Sequence, residues 1–138
     1  MKLLVAIPSN RPKQLTDHTL AWAPRAGFEL RVFADHSVNP KKYKRVIEDV
    51  NYRHFLSVRY KQVVYDANPL EYAVKEGYDL LAIVPPNLRR WNSTKDTGQM
   101  VIEFHADLAN ARRQISEDSK LHEVTFPNGA RVIRVVKL

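Results

Sequence analysis

Three short apolar runs, LLVAI at 3 to 7, LRVFA at 30 to 34 and LLAIV at 80 to 84, constrain the fold more than any other feature of the chain. A strand with one face in water alternates apolar and polar residues. These runs are apolar almost throughout, which is the pattern of strands covered on both faces. The runs stop at Pro8, Asp35 and Pro85, residues that end or turn a central strand. Between the first two, Lys13 to Ala23 carries Leu15, Thr19 and Trp22 on one helical face and is closed by Pro24 and Gly27. Val63 and Val64 make a short third strand. Pro69 then suits a first helical turn, and Leu70, Ala73 and Val74 lead to Gly77 as the helix stop. Strands alternating with helices predict an α/β fold: a mainly parallel open sheet flanked by helices.

The pattern changes after Val84, where Pro85 and Pro86 open a polar stretch that reads as a loop. Val101, Phe104, Leu108, Ala111 and Ile115 then keep a helical period, which predicts a long helix over 95 to 116. Two apolar runs separated by Pro127, Asn128 and Gly129 predict a C-terminal β-hairpin over 123 to 136. One face of that ribbon is expected to be exposed and basic, through Arg131 and Arg134. With 138 residues, 16.0 kDa and no repeat or linker, the chain is expected to be a single domain over 1 to 138.

No stretch is apolar enough to span a bilayer, and the N-terminal run is too short for a secretory signal, so the expectation is a cytoplasmic protein with no membrane partner. In that setting the Asn92, Ser93, Thr94 sequon is read as chance. The chain has no cysteine, which excludes disulfides, a thiol nucleophile and Cys-based metal sites, and its five histidines share no short ligand spacing. Its formal charge is +7 and its pI about 9.8, which favours polyanions: nucleic acid, an acidic protein or a phosphorylated ligand. Residues 41 to 61 hold seven basic and two acidic residues interleaved with aromatics, a composition that can neutralise phosphates and stack on bases. The candidate basic surface is Lys41, Lys42, Lys44, Arg45 and Arg53. Tyr43, Ile47, Val50 and His54 recur at helical spacing in the same run, which also fits an amphipathic helix with a solvated basic face.

In an open parallel sheet, ligands sit beyond the carboxyl ends of the strands. Three segments fall there: Pro8 to Pro12 with Ser9, Asn10 and Arg11, then Asp35 and His36, then Pro85 to Arg90 with Arg89. The same residue types also serve as helix caps, turn starters and solvated arginines. No glycine-rich phosphate loop or nucleophile elbow is present, which removes dinucleotide oxidoreductases, P-loop phosphotransferases and serine hydrolases. Glu103 and Asp107 share a helical face, a pairing open to acid-base chemistry or to simple solvation.

VAIPSNRP, VFADH and ANPLEYAVKEGYDLLAIV, taken in that order, resemble the nucleotide-sugar-binding half of A-type glycosyltransferases, including compact versions from phage genomes. The resemblance covers roughly residues 1 to 92. It implies that Ser9, Asn10 and Arg11 contact a nucleotide and that Asp35 meets its base or ribose. The family's Asp-x-Asp motif, which holds a divalent cation against the diphosphate, is replaced here by Pro85, Pro86 and Asn87. Arg89 or Arg90 would then serve as the diphosphate counter-charge, since a guanidinium pairs with phosphate oxygens in a fork. The resemblance thus implies a shortened, catalytically inactive relative. It would bind a nucleoside diphosphate, a nucleotide-sugar or a macromolecular partner without a divalent metal. An active nucleotide-sugar-dependent glycosyltransferase and a basic nucleic-acid-binding protein are the alternatives.

Overall fold

A computed structural model describes residues 1–12, 28–34, 39–54, 63–65, 68–86, 88, 91 and 96–136. The side chains at 50, 51, 53, 54 and 97 lie outside that description, as do the expected helix over 13 to 23 and Asp35, His36, Asn87, Arg89 and Arg90. The elements in chain order are β1 (Leu3–Ser9), β2 (Glu29–Ala34), α1 (Pro40–His54), β3 (Val63–Val64), α2 (Pro69–Lys75), β4 (Leu80–Ile83), α3 (Thr97–Glu117), β5 (Glu123–Thr125) and β6 (Arg131–Arg134). The six strands form one sheet in the order β3-β2-β1-β4-β6-β5. β3, β2, β1 and β4 are parallel, while β6 runs antiparallel to both β4 and β5. The chain is therefore α/β with a mostly parallel sheet and a C-terminal hairpin.

The apolar runs take the central places. Leu4, Val5, Ala6 and Ile7 are fully buried, because β1 has strands on both sides and a hydrophobic cluster on each face. On one face Leu3, Val5, Ile7, Val32, Leu80 and Val132 meet Tyr43 and Ile47 of α1 and Phe104, Leu108 and Ile115 of α3. On the other, Leu4, Ala6, Phe33, Leu81 and Val135 meet Ala73 and Tyr72 of α2. Burying a leucine or isoleucine side chain this completely contributes about 2 kcal/mol over leaving it in water.

Three details differ from the expectation. β1 runs through Pro8 to Ser9 instead of stopping at residue 7. Ala6 O accepts from Val84 N at 2.9 Å, and two residues on, Pro8 presents its nitrogen to that same side, past the end of β4. The missing N–H thus interrupts no ladder bond. In α2, Leu70 and Val74 are exposed and only Ala73 is buried. The ends of α2 are as expected: Pro69 follows the Asn68 cap, whose Oδ1 accepts from Leu70 N and Glu71 N, and Gly77 takes φ +79°.

The third difference concerns Arg131 and Arg134, which do not share an exposed basic face. They are three residues apart on a strand, so they point to opposite sides of the sheet. Arg131 pairs with Glu123 at 3.3 Å. Arg134 turns to the end of α3, where its guanidinium donates to the carbonyls of Ile115, Asp118 and Leu121.

At the amino ends of the strands, the Tyr78 hydroxyl donates to Glu29 Oε2 and Lys2 Nζ lies 4.3 Å above its ring. Burial and the Glu29 carboxylate push the Tyr78 phenol from 10.0 up to about 12. A raised folded-state pKa contributes stability that is complete below the unfolded value and is lost as pH climbs toward the folded one. Urea midpoints are therefore expected to fall between pH 10 and about 12, and to fall less steeply in Tyr78→Phe, which has no phenol to ionise. Identical alkaline slopes for the two proteins would exclude this contribution.

Candidate functional site

From β1 the chain steps outward to β2 and β3, then returns to lay β4 on the opposite side of β1. The order reverses between β1 and β4, and the crevice at their carboxyl ends is where open α/β sheets place ligands. Its walls are the Ser9 to Pro12 turn after β1 and the segment from Val84 after β4. The hairpin tip closes one side: Gly129 has φ +91°, and a Cβ on it would stand 3.7 Å from Pro85 Cγ.

Ser9 is 7% exposed and fully engaged. Its hydroxyl donates to Arg11 O at 2.8 Å and accepts from the Tyr43 hydroxyl at 2.9 Å, while that phenol also reaches Ser9 O at 3.0 Å. Tyr43 is held in place by burial in α1 and by an edge contact with Tyr65, whose centroid is 6.5 Å away. The Ser9 side chain therefore shapes the turn and anchors α1. Asn10 and Arg11 are the residues this turn presents at the crevice, both exposed, with Pro12 half-buried behind them. Asp35 and Arg89 belong to segments outside the described residues.

The opposite wall depends on Trp91, which sequence reasoning missed because it lies in a polar loop. Trp91 is fully buried. Its indole Nε1 donates to Asp107 Oδ2 at 2.6 Å and its backbone N–H reaches Met100 Sδ at 3.3 Å, both on α3. Its ring meets Phe104 edge-on at 4.9 Å and Phe126 of the hairpin at 5.4 Å. This one side chain joins the segment after β4 to the long helix and the hairpin. A lone tryptophan among polar residues was the available signal, since a ring of that size is seldom left in water.

The carboxylates considered for chemistry, Glu103 and Asp107, have structural partners, as does Asp96 at the start of α3. Asp107 holds Trp91, Glu103 accepts from Gln99 Nε2 at 3.3 Å, and Asp96 caps α3 by accepting from Gln99 N at 3.1 Å. Among the described residues, no group of three or more His, Asp or Glu side chains is placed to hold a metal. No described helix is long and apolar enough to cross a membrane.

The basic surface lies on α1. Lys41, Lys42, Lys44 and Arg45 are exposed there, while Arg53 sits in the same helix with its side chain outside the description. One of these cations pairs within the helix, where Lys44 approaches Glu48 at 3.9 Å. Both partners are solvated, and a pair of this i, i+4 kind contributes only about 0.4 kcal/mol. Tyr52, 84% exposed, adds an aromatic ring on the same helix. Comparison with protein-family models, curated proteins and solved structures finds no match to this chain.

Proposed function

We propose that the chain is a shortened glycosyltransferase-like protein that binds a nucleotide, with a nucleoside diphosphate or nucleotide-sugar held over the carboxyl ends of β1 and β4, and that it performs no metal-dependent sugar transfer. The observation that carries this reading is the reversal of strand order at β1 and β4, with Asn10 and Arg11 at its edge. Asn10 offers amide donors and an acceptor, and Arg11 offers a guanidinium fork suited to phosphate oxygens. The residues after β4 include Pro85 and Pro86 where a transferase would need anionic metal ligands.

Uridine and guanosine diphosphates are expected to raise the melting temperature without manganese, because a ligand that binds only the folded state stabilises it by mass action. Arg11→Ala should remove most of that shift. Absence of any shift at millimolar nucleotide would overturn the proposal, and manganese-dependent turnover of a nucleotide-sugar would replace it with an active transferase. A second reading, nucleic-acid binding, is favoured by the exposed Lys41, Lys42 and Arg45 beside Tyr52 on α1. It requires affinity that falls steeply with salt and is lost when Lys42 and Arg45 are both changed to Glu.

A further inference from the structure

Among the described elements, only the seven-residue α2 packs on the sheet face opposite α1 and α3. Beside it runs a groove of about 420 Å³ between α2 and β6, lined by Leu70, Val74, Ile133 and Val136 and edged by Glu71, Lys75 and Arg134, the last of which commits its guanidinium to the carbonyls at the end of α3. Leu70 is 42% exposed, Val74 38% and Val136 59%, so the apolar lining faces water. Apolar side chains gathered along one groove are the usual mark of an interface, whereas single exposed ones need no explanation.

We infer that this groove is the interface of a two-fold dimer, in which α2 of a second copy of the chain lies antiparallel to α2 of the first. The charge pattern selects that occupant. Glu71 and Lys75 lie one turn apart on the edge that lines the groove. A two-fold axis sets the start of one helix against the end of the other, so Glu71 meets the partner's Lys75 and Lys75 meets the partner's Glu71. A patch that is complementary to itself is what a two-fold contact requires. Leu70 and Val74 of each copy then enter the groove of the other, and the two α2 helices form one shared layer between two sheets.

The overall charge would oppose the pairing of two basic molecules, but its distribution does not. Of the chain's net +7, α1 carries +3, through Lys41, Lys42, Lys44, Arg45 and Arg53 against Glu48 and Asp49. The segment 69 to 79 holds Glu71, Glu76 and Asp79 against Lys75, and α2 lies on the other face of the sheet from α1. Beyond a Debye length, about 8 Å at physiological salt, the remaining repulsion is screened.

Light scattering from low micromolar to near-millimolar protein is expected to give a mass rising to twice 16.0 kDa. Glu71→Lys and Lys75→Glu, each tested alone, should weaken the dimer about tenfold or more by setting like charges together. An equimolar mixture of the two variants should dimerise again. In that mixed pair the introduced lysine of one chain faces the introduced glutamate of the other, and the native Lys75 faces the native Glu71. That rescue separates a contact between chains from one within the helix. Carbodiimide cross-linking in an equimolar mixture of unlabelled and isotope-labelled wild-type protein should also join Glu71 to Lys75 across the two isotopes, with no need for a variant. A mass of 16.0 kDa at every concentration overturns the inference. So does a dimer that ignores both substitutions and yields no mixed-isotope link between these residues.

Discussion

Replacing Trp91 with alanine is expected to destabilise the protein by about 4 kcal/mol, the range for deleting a fully buried aromatic side chain. Three losses combine. The ring leaves a cavity between Phe104 and Phe126, and two edge-on contacts at 4.9 and 5.4 Å disappear. Asp107 also loses its 2.6 Å indole donor while half-buried against the same helix. Against a total stability of about 5 to 15 kcal/mol for a domain, this shifts the urea midpoint by a large fraction. Trp91→Phe separates the contributions: it keeps much of the packing, removes the indole donor from Asp107 and should cost about 2 kcal/mol. Nucleotide-induced stabilisation should fall in both variants, because the wall after β4 is fixed through this side chain. A Trp91→Ala protein with an unchanged midpoint would show that the indole is not holding that segment.

Arg134→Ala is the second large expectation. A helix ends with carbonyls that have no partner within it, and here one guanidinium serves three carbonyls at and beyond the end of α3: Ile115, Asp118 and Leu121. Its positive charge also stands at the negative end of the helix dipole. Hydrogen bonds from a charged donor contribute about 1.5 to 3 kcal/mol, so alanine should cost about 2 to 3 kcal/mol, with helical ellipticity lost from the last turn. Lysine keeps the charge but not the planar spread of donors, and should restore less than half. Full restoration by lysine would mean that charge alone holds the helix end.

These two residues also show where a one-dimensional reading stops. The central strands were legible because burial on both faces removes the polar alternation, and LLVAI and LLAIV carry that pattern directly. The long helix was legible from its period: of the positions it named, Phe104, Leu108, Ala111 and Ile115 are buried and Val101 is half-buried. Arg134 was read by its charge, whereas its role comes from strand parity and from where α3 ends, which depend on tertiary pairing. Trp91 lies nine residues from Met100 and sixteen from Asp107, separations with no local period. Ser9 was legible as a residue at the strand end. Its engagement by Tyr43, thirty-four residues away, follows only from the docking of α1. The position of the crevice was inferable from strand order, and that order required knowing that β4 returns to the far side of β1.

The central position of β1 also bears on the order of events in folding. β1 begins the chain, yet its register with β4 joins Leu3 to Leu80 and Ala6 to Ile83, across more than half of the sequence. Closing so long a loop has an entropic cost that must be met before any contact offsets it, so the β1 and β4 pairing is a slow step compared with formation of α3 or the terminal hairpin. During synthesis, β1 and β2 can pair early, but one edge of β1 stays open until LLAIV leaves the ribosome, and β4 then waits in turn for β6. In a chain that ends after residue 84, an apolar strand would therefore present an uncovered edge to other chains, and the terminal hairpin acts as the seal against edge-to-edge aggregation.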